Sequence, residues 1–272
     1  MLKTVDLYDM SHTLAGAYLS GFEYPWQALK GIKELILTLG PTLGEDYTEV
    51  SPTVWVHKTA AVAPTAFLGA PCIIGPGTEV RHCAFIRGSA LVGENCVVGN
   101  SVELKNAILF DNVQVPHFNY VGDSILGYKS HMGAGSVTSN VKSDKTLVVV
   151  KNGEEQVPTG QKKFGAMLGD FVEVGCNSVL NPGTVIGPHS NVYPTSCVRG
   201  MVPANSIWKT GGIIVAKKSF GTVPGHHTEL QLKSLEKILI ARRARSSYET
   251  CFVISFLINH KTGSANRRCL PD

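Results

Sequence analysis

Four residues in the middle of this sequence could act together on a charged substrate: Arg87, Lys105, His117 and Tyr120. Histidine, with an unperturbed pKa of about 6.5, can accept a proton at neutral pH. Tyr120 is near enough in the chain to orient His117 or a ligand. Arg87 and Lys105 each directly follow an aliphatic residue of one repeat, and two cations stacked on one edge form an anion site. The pattern predicts a general base beside an anion site, and a purely structural His117 is the alternative.

The glycine-rich segment Gly133–Ser136 is a second candidate, because its backbone N–H groups could come close to a ligand. Glycine is also common at this repeat position for reasons of corner geometry, so a structural role stays open. A metal site is not expected, since His226 and His227 are adjacent and the cysteines are dispersed. A serine hydrolase is not expected either, because the G-x-S-x-G turn is missing.

A six-residue repeat positions these candidates. Aliphatic residues recur at every sixth position at Val56, Val62, Leu68, Ile74, Val80, Ile86, Val92, Val98 and Leu104. A short fixed period of this kind is typical of a parallel β-helix, in which each aliphatic residue stacks on the one about 18 positions later and coils lie about 4.8 Å apart. An antiparallel sandwich is the alternative, but alternation by two does not give nine aliphatic residues in phase. The pattern resembles the left-handed hexapeptide β-helix, and we take the handedness from that resemblance.

The repeat changes phase near the candidate residues. Leu104 and Leu109 are five positions apart, as are Val121 and Leu126, whereas the neighbouring intervals are six. Clusters of Gly, Asn and Asp at these places fit altered corners. We therefore expect the wall of the β-helix to be deformed at the segment that contains His117, which favours a site there.

Residues 141–163 leave the repeat. An extended run, then Asn152-Gly153, then a second extended run predicts a hairpin. The excursion carries five lysines: Lys142, Lys145, Lys151, Lys162 and Lys163. It could be a phosphate-binding arm or a solvated surface loop.

The pattern predicts five regions. Residues 1–50 are expected to form an N-terminal helical cap, with a helix that begins near Pro25 and ends at Gly40-Pro41 and whose apolar stripe most simply covers the open end of the β-helix. Residues 51–140 and 164–210 form the two blocks of the β-helix, on either side of the excursion at 141–163. Residues 211–272 are expected to contain a C-terminal helix and a poorly defined tail from residue 248.

Composition restricts the class of protein. A net charge of +4 and a pI near 8.6 are too mild to indicate nucleic-acid binding, and they suit a protein with a local basic patch for phosphorylated ligands. Seven cysteines without paired spacing favour a reducing compartment. The N-terminus has no signal-peptide pattern and no segment is long enough to cross a membrane, so we expect a cytoplasmic protein with no membrane partner.

Four segments resemble a known enzyme family: G-N-S-V-E-L-K-N-A (99–107), H-F-N-Y-V-G-D-S (117–124), G-A-G-S-V-T-S-N (133–140) and K-K-F-G-A-M-L-G-D (162–170). They are similar to the C-terminal acetyltransferase domain of bifunctional sugar-1-phosphate nucleotidylyltransferase/amino-sugar-1-phosphate acetyltransferases, with archaeal relatives more similar than bacterial ones. The resemblance covers roughly residues 54–210. It implies an acetyl-CoA-dependent acyltransferase that needs no metal for acyl transfer, and a homotrimer with acetyl-CoA bound between subunits.

The resemblance also implies roles for individual residues. His117 matches the general base that takes a proton from the sugar amine. The residues implied in substrate binding are Arg87, Lys105, Tyr120, His131, Asn140 and Lys145. The residues implied in acetyl-CoA binding are Ala134, Gly135 and Cys176. His131 stands where the bacterial family has an asparagine, Pro116 replaces a glycine, and Cys176 replaces a serine.

The leading hypothesis is an N-acetyltransferase that acts on an amino-sugar 1-phosphate. Nucleotidylyl transfer is not expected, because residues 1–50 are too short for that domain and contain no glycine-rich nucleotide loop. One alternative is a non-catalytic β-helix that binds sugar phosphates or nucleotide sugars, or that serves as a scaffold. Another keeps the chemistry but has a nucleotide-linked amino sugar as the acceptor.

Overall fold

The structure is a computed structural model that describes residues 1–218. The predicted C-terminal helix and tail lie outside these residues. No helix within residues 1–218 is long and apolar enough to cross a membrane.

Three stacks of short parallel strands form a triangular β-helix, which confirms the predicted fold class. Face one contains Val54–His57, Cys72–Ile74, Ala90–Val92, the second half of Glu103–Leu109, the second half of Tyr120–Leu126, Ala166–Leu168, Thr184–Ile186 and Met201–Val202. Face two contains Phe67–Leu68, Phe85–Ile86, the first halves of Glu103–Leu109 and Tyr120–Leu126, Val137–Thr138, Val179–Leu180 and Cys197–Val198. Face three contains Ala61–Val62, Glu79–Val80, Val97–Asn100, Gln114–His117, His131–Met132, Glu173–Val174, Asn191–Val192 and Ser206–Lys209.

The corners between faces explain the six-residue period. The residue three positions after most of the repeating aliphatic residues has a left-handed backbone, as at Cys83 (φ 61°), Asn95 (φ 51°) and Asn112 (φ 61°). One such residue per side turns the chain, so that the next aliphatic side chain again points inward. The repeating aliphatic residues at Ile74, Val80 and most equivalent positions are fully buried in the interior.

The N-terminal segment is built from short helical pieces. Its α-helices are Thr4–Leu7, Gly16–Leu19 and Ile32–Leu39, and its 3-10 turns are Met10–His12, Pro25–Gly31 and Gly40–Thr42. The predicted helix after Pro25 is therefore a 3-10 turn followed by an α-helix. Pro25 begins the 3-10 turn and Gly40-Pro41 ends the α-helix, as the sequence indicated.

The helical pieces cover face one, so the prediction that they cover the open end of the β-helix was wrong. The outward-facing middle residues of the face-one strands, such as Ile73, Leu91 and Ile108, are apolar and fully buried. The helix Ile32–Leu39 packs on the strands Ala90–Val92 and Glu103–Leu109. A row of one large apolar side chain per coil needs a cover along the whole face, and this requirement determines where the helices lie.

Antiparallel strands lie at both ends of the described β-helix. Tyr47–Ser51 pairs with Val54–His57 at the first coil, and Ile213–Ala216 pairs with Ser206–Lys209 at the last. These strands occupy backbone hydrogen-bonding edges that would otherwise be exposed.

The excursion forms the predicted hairpin. Strands Val149–Asn152 and Glu155–Pro158 pair across a turn that contains Gly153 (φ 57°). An antiparallel bridge between Val141 and Lys163 closes its base. Val148 and Val150 are buried, so this part of the excursion packs against the protein and is not a free arm.

The cover on face one gives a testable prediction from two neighbouring residues of the helix Ile32–Leu39. Ile36 is fully buried, and Leu37 has 37% of its surface exposed. We expect Ile36→Ala to lower the free energy of unfolding by about 2–5 kcal/mol, because it leaves a cavity at the interface. The matched control Leu37→Ala should cost less than about 1 kcal/mol. Urea denaturation followed by circular dichroism measures both values, and equal small effects would contradict the packing of this helix on the β-helix.

Candidate active site

A buried carboxylate organises one corner of the β-helix. Asp123 is 4% exposed, and Lys105 Nζ lies 2.9 and 3.0 Å from its two carboxylate oxygens. Asn106 Nδ2 donates to Asp123 Oδ1 at 2.9 Å, and Asn140 Nδ2 donates to Oδ2. Asn140 Nδ2 also lies 3.2 Å from the hydroxyl oxygen of Tyr120. We call these five residues the Asp123 cluster.

The five-residue sides create this cluster. Asn106 (φ 50°) and Asp123 (φ 48°) have left-handed backbones two positions after Leu104 and Val121, where other corners have them three positions after. Asn and Asp tolerate this conformation better than other residues with a side chain. Leu104 pairs with Val121, so the two shortened corners stack, and their polar side chains meet.

The excursion leaves the next coil at the same corner. Tyr120 pairs with Val137 before the excursion, whereas Ile125 pairs with Met167 after it. Gly165 N donates to Asp123 O at 2.8 Å where the chain returns. The corner that is shortened in two coils is thus replaced by residues 141–163 in the third.

Arg87 and Lys105 stack one coil apart, as the sequence indicated, but each is paired with a carboxylate. Arg87 Nη1 lies 2.7 Å from Glu103 Oε1, and Lys105 holds Asp123. The hydrogen bond and charge of Glu103 raise the pKa of Arg87. Burial raises the pKa of Tyr120, and the charges of Asp123 and Glu103 add to this effect. These groups therefore lie within electrostatic range of one another.

His117 lies at the opposite corner of face two. It is the last residue of the strand Gln114–His117, it is exposed, and it pairs with Asn100 of the preceding coil. Its backbone N–H donates to the side-chain oxygen of Asn119 at 3.2 Å. Asn119 is 2% exposed and donates from Nδ2 to the carbonyl oxygens of Gly133 (2.9 Å) and Ser136 (3.0 Å). Asn119 thus fixes the corner of His117 to the next coil.

Ala134 and Cys176 follow His117 along this corner. Gln114 pairs with His131 of the next coil. His117 lies three positions after Gln114, and Ala134 lies three positions after His131, so His117 and Ala134 lie at the same level of successive coils. A side chain at Gly133 would meet Cys176 N at 2.7 Å and Cys176 Sγ at 3.0 Å. The corner therefore presents His117, Ala134 and Cys176 in consecutive coils.

The two glycines beside Ala134 serve the packing of coils. Gly133 N donates to Val174 O at 2.7 Å, and Gly135 N donates to His117 O at 3.0 Å. Gly135 also has a left-handed backbone (φ 71°), and an added Cβ would lie 2.2 Å from Asn177 Oδ1. Both N–H groups are occupied by coil-to-coil hydrogen bonds, which favours the structural alternative for these glycines.

Two of the predicted substrate-binding residues lie apart from the Asp123 cluster. His131 Nδ1 is 2.9 Å from Glu173 Oε2, in a groove with Gln114 and Lys129. Lys145 is exposed on a turn of the excursion, where its backbone N–H donates to Lys142 O. Within residues 1–218, neither residue has a hydrogen bond or ion pair with a member of the cluster.

Sequence reasoning did not single out Glu103, Asn119 or Asp123 as site residues. One signal for the cluster was present: Asn106, Asp123 and Asn140 succeed one another at intervals of 17 positions, one less than the regular coil. Glu103 and Asn119 give no such signal, because a carboxylate on a strand and a polar residue at an interior repeat position have many structural roles. No group of three or more His, Cys, Asp or Glu in the described part of the chain could hold a metal ion.

The fold and this corner define a hexapeptide-repeat β-helix with a polar site on one face. Residues 71–202 match the family described as the GMPPB C-terminal domain. The chain is 28% identical over 189 residues to a bifunctional sugar-1-phosphate nucleotidylyltransferase/acetyltransferase of Sulfurisphaera tokodaii, covering 68% of this chain and 47% of that protein. It is 27% identical over 221 residues to the bifunctional protein GlmU of Methanococcus maripaludis, covering 79% and 53%.

The chain is similar to both of these bifunctional proteins, which confirms the resemblance predicted from the sequence. It spans about half the length of the two relatives. Among solved structures, the acetyltransferase domain of PglB from Neisseria gonorrhoeae in complex with acetyl coenzyme A matches with 13% identity and a TM-score of 0.27, over 66% of this chain and 63% of that one.

The Asp123 cluster gives a second prediction. Asp123→Ala leaves the largely buried ammonium group of Lys105 and the side-chain amides of Asn106 and Asn140 without their shared acceptor. We therefore expect the free energy of unfolding to fall by about 2–3 kcal/mol. The control Asp144→Ala removes an exposed carboxylate that also pairs with a lysine, Lys142, and should lower the free energy of unfolding much less, because solvent screens that pair. Chemical denaturation of the three proteins tests this difference. Equal losses in both variants would show that the cluster adds nothing beyond a surface ion pair.

Proposed function

We propose that this protein is an acetyl-CoA-dependent N-acetyltransferase that acts on an amino-sugar 1-phosphate, with His117 as the general base. The observation that carries the proposal is the layout of face two in the coil from Val115 to Leu126. His117 lies at one corner of this face and Asp123 with Lys105 at the other, with Tyr120 between them. The two corners are six residues apart, hence at most about 20 Å. Long side chains from both corners could therefore act on the two ends of one small ligand.

The two cations retain donors for a phosphate despite their carboxylate partners. An ammonium group has three N–H donors and a guanidinium has five. Lys105 uses two of its three donors on the Asp123 carboxylate, and Arg87 donates one hydrogen bond to Glu103. Arg87 has 48% of its side chain exposed, so its free donors face solvent. We propose that the sugar phosphate binds here, with Tyr120 and Asn140 against the sugar ring.

The proposed acyl transfer takes place at the corner that carries His117. The amine nitrogen attacks the thioester carbon, His117 takes the proton that the amine loses, and the tetrahedral intermediate collapses with departure of the CoA thiolate. We propose that the thioester lies beside Ala134 and Cys176, on the coils next to His117. The two glycine N–H groups are already bonded, so they are not the donors that stabilise the oxyanion.

A homotrimer would supply the second wall of the acetyl-CoA site. Large apolar side chains are exposed on face two and at its His117 corner: Phe67 (58%), Phe85 (43%) and Phe118 (61%). An exposed apolar surface of this kind supports contact with another subunit. The proposed trimer would bury these rings and close the cleft next to His117.

The proposed base gives a third prediction. His117→Ala should lower kcat by about 100- to 10,000-fold and change KM for the acceptor little, because it removes proton transfer and no phosphate contact. The measurement is release of the CoA thiol with acetyl-CoA and glucosamine-1-phosphate or galactosamine-1-phosphate. His189→Ala is the control, because His189 stacks on Phe171 at a different corner and should keep wild-type kcat.

Two outcomes would overturn the proposal. An undiminished rate in His117→Ala would contradict the assignment of His117 as the general base. Absence of turnover with any amino-sugar phosphate would contradict the proposed reaction. Protection against thermal unfolding by a sugar phosphate, but not by CoA, would instead identify the non-catalytic binding protein.

A further inference from the structure

A cavity of about 320 Å³ lies beside the Asp123 cluster, on the side away from His117. We call it the lysine cavity; its lining includes Lys30, Asn106, Asp123, Gln161, Lys162 and Lys163. Asn106 and Asp123 belong to both the cluster and the cavity. A ligand held at the Asp123 corner can therefore extend into this space.

The lysine cavity has an excess of positive charge. Lys30, Lys162 and Lys163 are exposed, and none of them forms an ion pair within residues 1–218. Asp123 is the one carboxylate that lines the cavity, and Lys105 already balances its charge. Three ammonium groups around one opening favour an anionic ligand.

The walls of the cavity are fixed by hydrogen bonds between three separate parts of the chain. Asn106 Nδ2 donates to Leu29 O at 3.1 Å, which joins the shortened corner to the N-terminal segment. The side chain of Gln161 is buried and donates to Trp26 O at 2.5 Å, which joins the excursion to the same segment. Trp26 in turn stacks on Phe164, with ring centroids 5.7 Å apart. The site is thus formed before a ligand binds, which reduces the ordering cost of binding.

We propose that the lysine cavity binds the second phosphate of a nucleotide-linked amino sugar, so that the site also accepts a nucleoside diphosphate amino sugar. This inference rests on the proposed function, and it adds a second class of acceptor to it. Arg87 and Lys105 hold the phosphate next to the sugar, and Lys30, Lys162 and Lys163 hold the next one. A volume at the low end of the range for ligand sites accommodates a phosphate group and leaves the nucleoside outside.

The test is a binding measurement without acetyl-CoA, which separates it from turnover. Isothermal titration compares UDP-glucosamine, glucosamine-1-phosphate and CoA on the wild-type protein, on Lys30→Ala/Lys162→Ala/Lys163→Ala, and on the control Lys33→Ala/Lys58→Ala/Lys151→Ala. The control removes the same number of positive charges, from residues that do not line the cavity. Its Lys33 lies three positions from Lys30.

We expect UDP-glucosamine to bind the wild type at least about tenfold more tightly than glucosamine-1-phosphate, because it adds charge-assisted hydrogen bonds. The cavity variant should lose this difference and keep its affinity for glucosamine-1-phosphate, and the control should behave as wild type. Lys162→Ala alone should weaken UDP-glucosamine several-fold, which keeps the test valid if the triple variant is unstable.

Three results would overturn the assignment: equal affinity of the wild type for the two sugars, equal weakening of both by the cavity variant, or weakening of CoA alone. The last result would assign the lysines to the diphosphate of CoA. Absence of turnover by the wild-type protein with acetyl-CoA and any amino-sugar phosphate would overturn the acetyltransferase proposal and leave this binding result unaffected.

Discussion

The coils of this β-helix form their backbone hydrogen bonds with the neighbouring coils, and this requirement limits where the chain can deviate from the six-residue repeat. A change in the length of one side must occur at a corner, and the neighbouring coils must accept it. The chain makes its main deviations at one corner, where Asn106 and Asp123 shorten two successive sides and residues 141–163 leave the third. The polar site exists because those deviations are stacked.

Asp123 then sets the charge of this corner. Its carboxylate accepts from Lys105 and Asn106 of the preceding coil and from Asn140 of the following one. The same group balances the charge of Lys105, so the excess positive charge comes from the lysines of the N-terminal segment and the excursion. Two segments outside the repeat thus contribute to a surface that the repeat alone would leave nearly neutral.

The regular part of the fold was predictable from the sequence, because one aliphatic residue per side gives a period that other folds do not share. The phase change also predicted the place of the candidate site. The position of the helices was not predictable from their own stripe, because an apolar stripe does not specify what it covers. The outward-facing row at Ile73, Leu91 and Ile108, with one large apolar residue per coil, indicates which face the helices cover. The partners of Arg87 and Lys105 could not be predicted, since hydrogen bonds between corners depend on which side chains become stacked.

The cover on face one also restricts how copies of this chain can associate. Helices and turns of the N-terminal segment occupy that side, so a neighbouring β-helix can approach only the other two. A ring of three subunits needs two different contact surfaces on each subunit, one for each neighbour. The two uncovered sides meet at the corner that carries His117, which would point toward the centre of such a ring. In the proposed trimer, the N-terminal segment would therefore determine which sides of each subunit face its neighbours.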